Sequence, residues 1–260
     1  MNLINHKDSF GNFYQLNKSG ESPTTIFIHG VGLDHSMWYP QKDFFYNKSV
    51  LFYDLINHGQ STGGFKELSF DICSEQLLNL INELKLKKIN LVGFSIGALI
   101  AQHFTEKFYN KINKLVLIGS VFQRSTSQIE KVQSRYNQAL NGSSITNNSI
   151  KRWFSENYLK INPQVHDFFY DLLEKKSNHN FLPAYKIFVD SDKYPINYNN
   201  FTMPTLIMTG EHEVGSTVLM NEGLSKEIKN STLYIIKNAK HGATIEQAED
   251  VNNQLNKFLY

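Results

Sequence analysis

The sequence predicts an α/β fold, a mostly parallel twisted sheet covered by helices on both faces. Three observations predict it. Short apolar runs punctuate the 260 residues, and most reach Gly or Asp within two residues of their end. Within each run the apolarity is continuous, as suits a strand buried on both faces. Between most runs the apolar residues recur at helical spacing, and strand–helix alternation is the mark of a doubly wound sheet.

In chain order the strand candidates are Ile26–Ile28, Val50–Tyr53, Ile89–Val92, Leu115–Ile118, Leu206–Met208 and Leu233–Ile236. Their branched and aromatic residues favour strand. Helices are predicted over about Glu67–Leu84, Ile96–Phe108, Ser216–Ile228 and Glu246–Leu259. A hairpin of Leu3–His6 and Phe13–Leu16 would add antiparallel edge strands. One stretch breaks the alternation. From Val121 to about Asn200 no buried strand is evident, aromatic residues abound, and Pro163, Pro183 and Pro195 punctuate them. That length is too great for a loop inside a compact domain. It predicts a helical cap, 121–200, inserted into a core made of 1–120 and 201–260. Most of its aromatics are expected to pack the insertion onto the core, and the rest to line a pocket.

Composition narrows the function classes. With 41% apolar and 19% charged residues the chain is an ordinary globular protein. Its net charge is +2, and no basic stripe with interleaved aromatics is present, which argues against nucleic-acid binding. The one dense basic stretch, Lys85–Lys88, ends a predicted helix, where cations suit the dipole. Cys73 is the only cysteine, so no internal disulfide is possible. It falls on the apolar side of a predicted helix and is expected to be a packing residue. No signal-peptide pattern is visible, and no run of roughly 18 apolar residues predicts a membrane span. The expected location is the cytoplasm, as a monomer or homodimer.

Chemistry concentrates in a few segments. Gly93-Phe94-Ser95-Ile96-Gly97 lies between a predicted strand and a predicted helix. A nucleophile on such a sharp turn stands above the sheet edge, and small neighbours permit the close approach. The N–H of Ile96 would then face a developing oxyanion. A second donor is expected from Val31, in His29-Gly30-Val31-Gly32 after the first core strand. His29 itself is expected to pack beneath that loop. Among nine histidines, His241 follows the last predicted strand and precedes the last helix, where the base belongs in the order nucleophile, acid, histidine. The acid belongs after Leu206–Met208, where Glu213 is the candidate and Glu211 its rival. Arg124 and Arg135 could bind a substrate carboxylate, although exposed salt bridges are the expectation for both.

These segments resemble the α/β-hydrolase superfamily, and most of all its 3-oxoadipate enol-lactonases and small carboxylesterases. The matching blocks are HGVGLDHSMWYPQ (29–41), YDLINHGQST (53–62), GFSIGALIAQ (93–102), PTLIMTGEHEVGST (204–217) and NAKHGATIEQAEDV (238–251), in family order. The resemblance implies a serine hydrolase with a Ser95–His241–Glu213 triad, since the family's carboxylate stands three residues beyond the glycine that here is Gly210. The chain departs from the family in having Glu for Asp at 213. It also has Asp54-Leu55-Ile56-Asn57-His58-Gly59 where Arg and an earlier Gly are usual.

The predicted activity is hydrolysis of a small-molecule carboxylic ester or lactone through an acyl-enzyme. It needs no metal or organic cofactor, and no metal-spaced ligand cluster is evident along the chain. The same triad would serve carbon–carbon bond hydrolysis of a diketone-like substrate. A hydrolase-like ligand sensor is the alternative from another class.

Overall fold

A computed structural model describes residues 3–19, 23–174 and 180–260. Eight strands form one sheet: β1 (Ile4–Lys7), β2 (Phe13–Asn17), β3 (Thr24–Ile28), β4 (Val50–Tyr53), β5 (Ile89–Phe94), β6 (Ile112–Ile118), β7 (Thr205–Gly210) and β8 (Ser231–Ile236). Their spatial order is β1-β2-β4-β3-β5-β6-β7-β8. β1 and β2 pair antiparallel, β2 joins β4 antiparallel, and every later pairing is parallel. All six apolar runs and the N-terminal hairpin are therefore strands.

Alternate residues of each central strand feed opposite layers. Ile26, Ile28, Leu51, Tyr53, Leu91, Leu115 and Leu117 pack on one side. Phe27, Val50, Phe52, Val92, Val116 and Ile118 pack on the other. Two covered faces are why the apolar runs carry no polar alternation. The first layer is completed by α2 (Phe70–Glu83), α3 (Ile96–Phe108) and α9 (Val218–Glu227). Cys73 sits in it, and burial pushes its thiol up to about 12. The second layer receives α11 (Ala248–Leu259) through Val251 and Leu255.

The helices start where side chains satisfy their free N–H groups. The Ser69 hydroxyl accepts from the Ile72 N–H at 3.1 Å and opens α2. Thr217 opens α9 in the same way. The predicted final helix is α11, and a further short helix precedes it. α10 (Ala243–Glu246) ends at Gln247, whose backbone (φ −128°, ψ 47°) is not helical, and α11 begins beyond it. A short helix α1 (Tyr39–Phe44), begun with Pro40 in its first turn, was not evident from periodicity, because six residues are too few to show one.

Among the described residues five α-helices lie between β6 and β7: α4 (Thr126–Leu140), α5 (Thr146–Trp153), α6 (Glu156–Ile161), α7 (Pro163–Glu174) and α8 (Leu182–Val189). Helix α4 opens with a capping box of Ser125 and Gln128. Phe154 and Phe169 are buried in the second layer with the strand residues. The Gly242 N–H donates to the Trp153 carbonyl at 2.7 Å, and the Ser155 N–H to the Glu246 carboxylate at 3.0 Å. The inserted helices are thus tied to the segment that follows β8.

The order of strands reverses at β3, which has β4 on one side and β5 on the other. Loops leaving the carboxyl ends of β3 and β5 diverge there and open a crevice. The turn after β5 is tight. A Cβ at Gly97 would stand 2.4 Å from the Ile28 carbonyl oxygen, and one at Gly93 would stand 2.3 Å from the Gly97 oxygen. Both obstacles are backbone, so neither can swing aside. Gly97→Ala is expected to cost about 1–3 kcal/mol, or roughly 2–12 °C of Tm in a chain of this size. Gly63→Ala, where the nearest atom is 3.8 Å away, should leave Tm unchanged. Thermal unfolding of the two variants checks the difference.

Candidate active site

Ser95 links β5 to α3 with φ 57° and ψ −119°. A side chain in that region costs about 1–3 kcal/mol and persists only where its surroundings over-determine it. Here the Ser95 N–H donates to the Ile118 carbonyl at 2.9 Å, and its own carbonyl accepts from Ala98 at 2.9 Å. Ser95 is buried but lines a cavity. Ile96 is the first residue of α3, so its N–H has no partner within that helix.

The loops after β7 and β8 supply a second pair. His241 lines the same cavity as Ser95, and its ring lies 4.9 Å from that of Phe94, centroid to centroid. Its Nδ1 is hydrogen-bonded to the Glu213 carboxylate. Burial alone would raise the Glu213 carboxyl. The His241 charge, the hydrogen bond from its ring and those from the Gly215 and Ser216 N–H groups outweigh burial and hold it at about 2. Glu213 is therefore an anion wherever the protein is folded at ordinary pH. Glu211 faces elsewhere: it accepts from Lys237 Nζ at 2.8 Å and from the Asn238 N–H at 3.1 Å. Of the two carboxylates, only Glu213 meets the imidazole.

Val31 lines the cavity beside Ser95, on the loop leaving β3. Three histidines beneath brace this region. Fully buried His29 accepts from the Leu55 N–H through Nε2 at 2.9 Å, so its Nδ1 donates to the Gly30 carbonyl at 2.8 Å. Burial pushes its pKa below the ordinary value. His58 accepts from the Gly32 N–H through Nε2 at 3.0 Å, and its Nδ1 lies 2.9 Å from the Ile56 carbonyl. His35 meets the Asp54 carboxylate twice at 2.7 Å, by its N–H and by Nδ1. Asp34, His35 and Asp54 bring potential metal-ligand atoms within 4.8 Å of one another, a grouping that linear spacing did not show. Those atoms serve the turn instead: Asp54 also accepts from the Gln60 N–H, and Asp34 from the Ser36 N–H. The departures from the family pattern at 56–58 thus bear on the loop carrying Val31.

Two further histidines are engaged away from Ser95. His103 stacks on Phe70 at 3.9 Å, and burial holds it at about 4. His166 lies on α7 near Asn147 and Asp167. His179 lies outside the described residues.

The cavity measures about 90 Å³ and is mostly apolar. At roughly 10–15 Å³ per water-sized probe, that is room for a small organic molecule. Trp153, Phe181, Tyr185 and Phe188 reach it from the inserted helices. Two arginines also line it, Arg135 on α4 and Arg152 on α5. Here the sequence expectation needs correction. Arg124 is paired with Asp192, but its side chain is only 1% exposed, and it also donates to the Phe188 and Val189 carbonyls. Arg135 is no exposed ion pair and turns inward. Arg152 was missed altogether. A signal existed, since Val132 and Arg135, and likewise Ser149 and Arg152, stand three apart on one helix and line the cavity together.

Residues 23–141 match the family model described as the alpha/beta hydrolase fold. The chain is 26% identical over 245 residues to (E)-2-((N-methylformamido)methylene)succinate hydrolase of Acinetobacter baylyi, covering 93% of this chain and 92% of that one. It is 22% identical over 240 residues to 3-oxoadipate enol-lactonase 2 of the same organism, covering 92% and 89%. The chain has the α/β-hydrolase fold. Solved structures share that fold with the chain. The enol-lactonase of Burkholderia xenovorans superposes with a TM-score of 0.82 at 21% identity, over 96% of this chain and 97% of that one. A malate-bound thermophilic esterase of Thermogutta terrifontis gives 0.84 at 20% identity, over 100% and 98%. Among the described residues no helix is long and apolar enough to cross a membrane.

The Glu213–His241 pair has a pH signature. The folded carboxyl titrates at about 2 against an ordinary 4.5, so unfolding takes up a proton between those values. The stability it contributes is complete above about pH 4.5 and is lost as pH falls toward 2. Tm of the parent protein should therefore fall more steeply over that window than Tm of Glu213→Gln. Parallel Tm-against-pH curves would contradict the pairing.

Proposed function

We propose that the protein is a serine hydrolase of small carboxylic esters or lactones, acting through an acyl-enzyme at Ser95. The observation that carries this reading is the strained Ser95, which shares a small cavity with an imidazole fixed by a buried carboxylate. The Ser95 hydroxyl attacks the substrate carbonyl while His241 removes its proton through Nε2. Glu213 holds Nδ1–H, selects that tautomer and stabilises the imidazolium. The Val31 and Ile96 N–H groups donate to the oxyanion. Collapse breaks the acyl carbon–oxygen bond, and His241 hands its proton to the departing alkoxide. Water, deprotonated by His241, then attacks the acyl-enzyme, releasing the acid and restoring Ser95. In a lactone both products stay in one molecule.

The relatives support this reading by their names, which speak of an enol-lactone, a substituted succinate and an ester. The helices between β6 and β7 act here as a cap whose inward side chains choose the acyl group. The longer glutamate serves in place of the usual aspartate, because its carboxylate already meets Nδ1.

Three measurements test the assignment. Ser95→Ala should remain folded and lose roughly 10⁴- to 10⁶-fold in turnover of whichever ester or lactone in a panel the parent cleaves. An organophosphonate should add to Ser95 alone, as read by mass spectrometry. Glu213→Gln should lower kcat by about 10⁴-fold, because the amide favours the wrong tautomer, while Glu211→Gln should change it little. Undiminished turnover in Ser95→Ala would sink the mechanism, and a crippling Glu211→Gln beside a silent Glu213→Gln would reassign the acid.

A further inference from the structure

Arginine is an expensive residue to turn into an apolar cavity, because burying a cation without a partner costs several kcal/mol. Two do so here. Arg135 and Arg152 come from different helices and line the cavity that holds Ser95. Arg135 Nε is buried without a hydrogen-bond partner. Among the described residues neither guanidinium forms an ion pair, whereas Arg124, on the approach to the same helices, has Asp192. Burial, and then the neighbouring Arg135 cation, push Arg152 below its ordinary value. The nearby anion, Glu213, is committed to His241. The cavity therefore holds two mutually repelling cations that share one carboxylate, Glu213, already bonded to His241.

We propose that Arg135 and Arg152 form a carboxylate-binding subsite, so that the substrate carries a free carboxylate in addition to the acyl carbon that Ser95 attacks. This rests on the serine-hydrolase reading for the attack, but not for the binding. A guanidinium presents a planar fork that matches a carboxylate in two parallel hydrogen bonds, and two such forks outbid water for it. The apolar remainder of the wall accepts a short carbon chain, and the small volume excludes a long one. Hydrolysis leaves the anchored carboxylate untouched. Water contributes its hydroxyl to the acyl carbon and its proton to the leaving oxygen. The product is a second carboxylate in the same molecule, a small dicarboxylic acid, or a hydroxy-dicarboxylic acid if the substrate is a lactone.

The test compares mono-4-nitrophenyl succinate with its neutral near-isostere 4-nitrophenyl pentanoate. The parent should favour the charged ester by about 10- to 100-fold in kcat/KM, the range expected for hydrogen bonds to a charged group. Arg135→Met and Arg152→Met should each cut that ratio at least tenfold, mainly through KM, and Arg152→Lys should recover part of it. Binding gives a readout free of chemistry. Succinate should raise Tm of the Ser95→Ala protein, and succinamide or inorganic phosphate should not. Ser95-dependent hydrolysis with no charge preference would overturn the subsite and leave the serine hydrolase standing. No hydrolysis of either ester, with an Arg152-dependent rise in Tm from succinate, would sustain the subsite and count against the ester reading. A Tm unmoved by succinate, or raised by phosphate alone, would overturn the proposal even if the methionine variants fail to fold.

Discussion

The turn at Ser95 is the constraint on which the rest of the site depends. It brings the first turn of α3 against the end of β3, so closely that Gly97 has no room for a Cβ beside the Ile28 carbonyl. Contact at that distance requires β3 and β5 to be neighbours in register, with Ile28 opposite Gly93. It also requires the reversal of strand order at β3, because the loop after β3 must leave the crevice clear. The unfavourable backbone of Ser95 is held by Ile118 on β6. Three parallel strands thus cooperate to place one hydroxyl. The large core on both faces supplies the rigidity, since close-packed interiors resist local relaxation.

Charge is distributed around that hydroxyl with opposite signs on opposite walls. The sheet side contributes Glu213, an anion shielded by backbone N–H groups and by His241. The inserted helices contribute Arg135 and Arg152. In so small and apolar a volume the two walls interact more strongly than they would in water. Glu213 eases the Arg152 cation, but its hydrogen bonds go to His241 and to backbone N–H groups, so it forms no ion pair with either arginine.

Much of the fold was legible in the sequence for a single reason: strands buried on both faces are continuous in apolarity, and all six such runs became strands. Elements governed by a few residues were less legible. Helix α1 is too short to show a period, and the break at Gln247 has no proline or glycine to announce it. At the site, the turn around Ser95 is written locally, in Gly93 and Gly97. His29 as a brace beneath its loop was also readable from position. The neighbours of Glu213 and Glu211 were not, because both follow the same strand and only the path of the loop sends one to His241 and the other to Lys237. The arginines were misjudged for a similar reason. A charged residue on a surface helix normally faces water, and only the docking of α4 and α5 over the cavity turns Arg135 and Arg152 inward.

The strand β8 ends the sheet, and its residues before Ile236 are only partly buried. It has one neighbour, β7, and His241 stands five residues beyond its end. The imidazole is therefore hung from a margin of the sheet, while Ser95 is set in its crowded interior. Local opening is cheapest where few buried contacts must be broken. Fraying at this margin would separate base from nucleophile without disturbing either hydrophobic layer around the central strands. What opposes it is the strap of hydrogen bonds from Gly242 to Trp153 and from Ser155 to Glu246. The inserted helices then have a second office besides shaping the cavity: they clamp the loose selvage of the sheet, so that whatever seats them firmly also keeps the histidine in place.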